Sequence, residues 1–316
     1  MILLVFFLSC RTQGNEKKRI VYVNSYHRGH PSSDDMMDGI MENFPADSFE
    51  LMIHFMDTKR NTSAEFIEGR ATEIYDSIVD ADPDILIVSD DNAVKYLVQP
   101  NLQDNTIPVV FCGVNMSADQ YNLPRDRVTG MIEMLPLADL LILMRSYYPS
   151  MEKLLLLTEN TTTSRKEAEL LDTLFNRVGV DATIELVDDF DRWKTVFREG
   201  NRDYDIIYIV THAAIRDWDH DEAVNFIEGH IQVPVITCED FMMPYAVLGL
   251  TKVAREHGLW AAGSAKKILQ GTNPADIPVI TNRQSTLYYN PVLAEKIGFK
   301  PDSELINKAR IYNDPR

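Results

Sequence analysis

From Arg19 onward the sequence repeats one unit: a short β-rich apolar run, a polar loop, then a helix-length amphipathic stretch. A strand followed by a crossover helix returns parallel to itself, so such a chain folds as mostly parallel sheets with helices on both faces. In the first half, strands are expected over 19–24, 50–55, 85–88 and 107–111, with helices over 34–43, 63–80 and 93–99 between them. The rhythm pauses at 128–135, where an extended stretch around Gly130 precedes a helix over 137–148 and a fresh series of strands. This pause reads as a crossing between two lobes. The second series has strands over 153–158, 181–187, 206–210 and 233–237. Its clearest helix start is Ser164-Arg165-Lys166-Glu167, which has the spacing of a capping box. That helix stops at Gly179. Toward the end come a strand over 246–250, a helix over 255–270, a strand over 285–289 and a helix whose cap is Asn290 with Pro291 at its first position.

A chain of 316 residues, 45% of them hydrophobic, buries a substantial core and has the length of about two domains. The 31 basic and 48 acidic side chains leave a formal net charge of −17, which opposes binding to nucleic acid or to an anionic membrane surface. No apolar run reaches the roughly 18 to 20 residues that span a bilayer. Residues 2–8 form a short apolar run followed by Ser9-Cys10 and an abruptly polar stretch. This resembles a bacterial lipoprotein signal, and implies lipidation at Cys10, residues 1–17 as signal and tether, and an extracytoplasmic location. A buried first strand is the alternative reading of the same run. The other cysteines, Cys112 and Cys238, each end an apolar run and read as small buried hydrophobes with free thiols, one in each lobe.

Several motifs occur in order between about 18 and 301: Asn24-Ser25-Tyr26-His27, Asp57-Thr58-Lys59-Arg60, Ser89-Asp90-Asp91-Asn92-Ala93, Phe111-Cys112-Gly113-Val114-Asn115, and a helix followed by Gly271 and Asn273-Pro274-Ala275-Asp276. On these the chain resembles the ABC-transporter substrate-binding protein family, and within it the branch that serves as sensor domains of hybrid histidine kinases. The resemblance implies a two-lobed periplasmic-binding-protein fold of type I, with a mostly parallel sheet flanked by helices in each lobe and three interlobe crossings. It places 18–130 with 246–280 in one lobe and 131–245 with 281–316 in the other. Some relatives in the wider family bind aromatic amino acids. The chain stops at Arg316 without a membrane span or kinase motifs, so a stand-alone secreted protein is expected.

In open α/β sheets ligands sit beyond the carboxyl ends of the strands, where helix N-termini present free amides. That rule selects Asn24, Ser25, Tyr26 and His27 after the first strand, and Asp57, Lys59 and Arg60 after the second. It adds Ser89, Asp90, Asp91 and Asn92 after the third, Gly113 and Asn115 after the fourth, and Glu133 at the crossing. The second lobe contributes the loop from Glu159 to Thr163, with Asn160, Thr161 and Thr162 in it, and then Thr211, His212, Glu239, Asp240 and Phe241. Asp90 and Asp91 at a helix start disfavour a ligand phosphate and suit an ammonium. Lys59 or Arg60 is available for a carboxylate. The expected ligand is therefore a zwitterion or polar amine. His27 and His30, three apart, lack a matched set of further metal ligands, so no metal or cofactor is expected. The chain carries no nucleophile elbow, phosphate-binding glycine loop, zinc helix or dinucleotide fingerprint. A monomeric binder without chemistry follows, docking on a membrane ABC permease or on a histidine kinase.

Overall fold

The computed structural model describes residues 17–101 and 106–313. Cys10 and the segment read as a lipoprotein signal lie outside them. The chain forms two lobes, each a twisted sheet with helices on both faces. In chain order the first lobe opens with β1 (Lys18–Asn24), α1 (Pro31–Met41), β2 (Phe49–Phe55), α2 (Ala64–Ala81) and β3 (Ile85–Ser89). It continues with α3 (Asp90–Ala93), which passes through a π-helical turn into α4 (Gln99–Asn101), then β4 (Val109–Asn115) and β5 (Val128–Glu133). The second lobe follows with α5 (Leu137–Tyr147), β6 (Lys153–Glu159), α6 (Thr162–Val178), β7 (Asp181–Val187), α7 (Phe190–Asp203), β8 (Ile206–Ile209), α8 (His220–His230), β9 (Val235–Thr237) and β10 (Leu248–Lys252). Last come α9 (Ala254–Leu269), β11 (Ile280–Thr281), β12 (Ser285–Tyr289), α10 (Pro291–Lys296), α11 (Ser303–Lys308) and β13 (Arg310–Ile311).

Strand order in the first sheet is β11-β5-β4-β3-β1-β2, and in the second β13-β12-β10-β9-β8-β6-β7. All pairs are parallel except β10 with β12. The continuous apolar runs are explained by burial on both faces. On the first sheet Val21, Val23, Leu86 and Val88 face one core, while Ile20, Tyr22, Ile85 and Ile87 face the other. Leu155, Leu157, Ile207 and Ile209 alternate with Leu154, Leu156, Ile206 and Tyr208 in the same way on the second. Cys112 and Cys238 are free and buried, one under each sheet, as their strand-end positions predict.

The chain passes between lobes three times: after β5, between β10 and α9, and between β11 and β12. Two of the expected boundaries need correction. Residues 131–133 stay in the first sheet, because β5 pairs with β4 as far as Glu133. The return to the first lobe begins at α9 and not at Ala246, because β10 fills the gap between β9 and β12 in the second sheet. An apolar run does not say which of two sheets it completes; its neighbours' free edges decide that.

Helix α9 docks on α1, with Ala261, Ala262 and Ala265 against Met36 and Ile40. The helices approach so closely that a Cβ on Gly258 would sit 1.9 Å from the Met36 carbonyl oxygen. Backbone on both sides leaves nothing to give way, so Gly258→Ala forces the helices apart. We expect a loss of about 2 to 3 kcal/mol from overpacking, read as a lowered urea midpoint with an unchanged slope.

Candidate ligand-binding site

Side chains from the carboxyl ends of strands in both sheets meet in a buried cleft between the lobes. It encloses a cavity of about 50 Å³, the space of a few water molecules. Tyr26, His30, Lys59, Asp90, Asn115 and Glu133 reach it from the first lobe and the crossing. Thr163, Glu167, Thr211, Glu239, Phe241 and Lys252 reach it from the second.

Two buried ion pairs tie the lobes together. Lys59, from the loop after β2, donates to Glu159 Oε1 at the end of β6 over 2.6 Å, and the second oxygen of Glu159 accepts the Ala214 amide at 2.7 Å. Lys252, at the end of β10, donates to Glu133 at the end of β5 and lies 2.8 Å from Glu239. Its side chain is 8% exposed. Burial works against both ammonium groups, yet the facing carboxylates hold each lysine above its ordinary pKa. Removing one partner of such a pair is costly, because the charge left behind stays buried.

The remaining acids carry the opposite imbalance. Burial, and then the neighbouring Glu133 charge, pushes the Asp90 carboxyl well above the usual range. Asp90 has φ +67° at the junction of β3 and α3, a backbone conformation that aspartate and asparagine tolerate better than most side chains. It is 7% exposed, and its Oδ2 has no partner in the protein. Burial raises Glu167 to about 7 and Glu239 to about 8, the latter against the pull of Lys252. His30 falls to about 2 through burial and the nearby Lys59, so it is neutral and contributes no charge. Thr211 is 8% exposed, and its buried Oγ1 also has no protein partner.

Several residues expected in the site instead build its frame. Ser25 Oγ donates to the Ser89 carbonyl and accepts the Ala93 amide. Asn24 Oδ1 accepts the Tyr26 amide and the Ser33 hydroxyl, the Ser89 hydroxyl bonds Tyr22, and Asn92 donates to Thr58. Asp91 is taken up by Tyr121 at 2.6 Å and Asn115 at 2.7 Å, so of the acidic pair Asp90 alone faces the cavity. Gly113, at φ +69°, sits where the β4–β5 register shifts, and the bulge carries Asn115 to the cleft. Arg60 grips Asp57 in a two-pronged bond at the exposed rim, beside His27, and does not reach the cavity.

In the second lobe Thr161 caps α6 by accepting the Ser164 amide, and Asn160 bonds Asp188 and Arg165. The cap therefore lies three residues before the expected one at Ser164, and Glu167 faces the cleft instead of closing a capping box. Thr162 is exposed, lining with Thr163 a smaller recess beside Tyr26 and Lys59. His212 stacks on Trp218 with ring centroids 4.4 Å apart, behind Thr211. Asp240 bonds the Phe241 amide and leaves the cavity to Phe241. Among the described residues no three potential metal ligands converge.

Sequence reasoning missed Lys252 and Glu167 as cleft groups, and it missed the ion pair that Glu159 makes with Lys59. Lys252 ended a strand whose sheet was misassigned, and Glu167 was absorbed by a motif that fitted it equally well. Glu159 and Thr163 belong to the strand-end loop expected at the cleft, Thr163 for its hydroxyl, and Thr163 does line the cavity.

A family model described as ABC transporter substrate binding protein matches residues 26–311. The chain belongs to that family. The structure is similar to the ABC domain in complex with L-Trp from Streptococcus pneumonia, at TM-score 0.73 and 15% identity over 93% of this chain and 99% of that one. It is also similar to a conserved domain protein from Vibrio cholerae, at TM-score 0.70 and 19% identity over 94% and 99%. A third likeness, to a ligand-free, open substrate binding protein with adhesive properties from Clostridium difficile, has TM-score 0.66 and 14% identity over 93% and 99%. No curated protein matches the sequence. These likenesses show the type I periplasmic-binding-protein fold. In this substrate-binding protein the cleft just described occupies the place where the two sheets' strand ends converge, and no helix of the described residues is long and apolar enough to cross a membrane.

Proposed function

We propose that this substrate-binding protein closes over a small polar organic solute, amino-acid-like or an amine, and delivers it to an ABC permease without chemical change. The observation that carries this reading is the composition of the cleft: buried, partly unpartnered polar groups contributed by both lobes and by a crossing strand. A solute that bonds Asp90 on one side and Thr211 on the other favours the closed arrangement by the difference between two-lobed and one-lobed contact. The resemblance to a lipoprotein signal at Cys10 supports an extracytoplasmic, lipid-anchored protein. The likeness to kinase sensor domains supports a second reading, in which closure is reported to a membrane histidine kinase.

A thermal screen against amino acids, amines, purines and small carboxylates tests solute binding. Ligand at about 100 times its dissociation constant adds about 2.7 kcal/mol, a rise of several degrees in the unfolding midpoint. Uptake of the hit by cells with and without this protein then separates the two roles. Lost uptake supports transport; intact uptake with lost solute-dependent kinase phosphorylation supports sensing; a screen in which nothing stabilises the protein contradicts both.

A further inference from the structure

We infer that the cleft selects an organic cation, an amine or a guanidinium, over the amino acid bearing the same side chain. The inference rests on the solute-binding reading above and narrows its ligand class. A ligand carboxylate needs a cation or free donors to receive it. The lysines that line the cavity are committed within the protein, Lys59 to Glu159 and Lys252 to Glu133 and Glu239. Arg60 is held at the rim by Asp57. Against these two paired lysines the cavity wall carries four carboxyl groups, Asp90, Glu133, Glu167 and Glu239; a bound cation favours their ionised forms, whereas a further carboxylate pushes them toward the neutral ones.

The groups left without a hydrogen-bond partner point the same way. Asp90 Oδ2 and Thr211 Oγ1 are buried without a hydrogen-bond partner in the protein, Glu133 Oε2 makes no hydrogen bond and has His257 Nε2 at 3.8 Å, and all three residues line the one cavity. All three oxygens accept hydrogen bonds, and an ammonium has three N–H donors to give. They come from the first lobe, the crossing strand and the second lobe, so one ammonium seated among them engages both lobes and the hinge at once. The cavity of about 50 Å³ has room for a group of that size. The rest of the ligand extends by parting the walls at Tyr26 and Phe241, whose rings suit a cation or an apolar stem. The amides that open α6, beside Thr163, are the feature of the cleft best suited to a carboxylate, which is why matched ligands are the decisive comparison.

The test is calorimetric titration of the full protein with pairs that differ by one carboxylate: tryptamine and L-tryptophan, agmatine and L-arginine, 3-methylbutylamine and L-leucine. We expect at least one amine to bind about tenfold or more tighter than its parent amino acid, the scale of one charged hydrogen bond. Asp90→Asn should weaken that amine by about tenfold or more. Asparagine tolerates the left-handed backbone at this position, and an unchanged melting curve confirms folding. Thr211→Val, which removes an acceptor without changing shape, should weaken it by a factor of about five. If every pair that binds shows the amino acid as tight as its amine, the inference is overturned and the binding function is left standing. The same holds if a sugar or dicarboxylate binds while both members of every pair do not. If no solute binds at all, the inference falls together with the function it rests on.

Discussion

Lys252→Met is expected to destabilise the protein by about 3 to 5 kcal/mol, the cost of leaving a buried carboxylate without its counter-charge. Lys252 neutralises two acids from different lobes, Glu133 and Glu239, and Asp90 stands close enough to raise the electrostatic cost further. Without the ammonium, the cleft either opens to let water reach these groups or takes up protons to discharge them. Methionine matches the lysine stem in length, so the effect belongs to the charge and not to a void. Adding Glu133→Gln and Glu239→Gln should recover most of the loss, because the penalty comes from the uncompensated charges. Chemical denaturation of the single and triple variants measures both. A single variant as stable as the parent would mean that the triad is solvated in solution and the cleft does not close as described.

The second large effect is on pH. In the closed cleft Glu167 stands at about 7 and Glu239 at about 8, both lifted chiefly by burial. Glu239 is faced by Lys252 from β10, Glu133 from β5 and its neighbour Asp240; Glu167 is faced by Lys252, Glu133, Lys59 and Asp91. Opening the lobes returns water to both acids and lowers them toward the ordinary carboxylate value. The closed form therefore binds more protons than the open form from about 6.5 up to about 8; below that, His30, held neutral by burial in the closed cleft, works in the opposite direction. By linkage, closure without added solute is favoured as pH falls through that window and is fully penalised above it. An interlobe distance followed by a fluorescent pair should shorten on acidification from about 8 to about 6.5, with the change centred on the raised values. A distance that lengthens on acidification, or does not respond, contradicts the assignment of these acids to the closed cleft.

How far the sequence revealed this molecule depends on the scale of the question. The parallel sheets were legible because burial on both faces leaves unbroken runs such as 20–23 and 154–157, which no half-exposed strand produces. The rule that ligands gather at strand ends found Tyr26, Lys59, Asp90, Asn115, Glu133, Thr211, Glu239 and Phe241, all of which line the cavity. It found more residues that stay outside that cavity, several of them holding the frame, among them Ser25, Ser89, Asn92 and Thr161, because caps and turns use the same small polar side chains as ligands do. The direction of a side chain one residue along a turn is what separates the two, and Asp90 and Asp91 show it most sharply. One faces the cavity; the other is consumed by Tyr121 and Asn115. Pairing across lobes was illegible for a different reason. Lys59 and Glu159 are a hundred residues apart and Lys252 and Glu133 more than that, so their meeting follows from the assembled fold and leaves no local pattern.

The central claim, that two lobes close on a solute through these residues, is tested most directly by small-angle X-ray scattering of the protein with and without the solute that stabilises it most. The account predicts a smaller radius of gyration with saturating solute, and no such decrease for Asp90→Asn at the same concentration. A solute that binds tightly while the radius stays unchanged would contradict it, and would place the binding site away from the cleft.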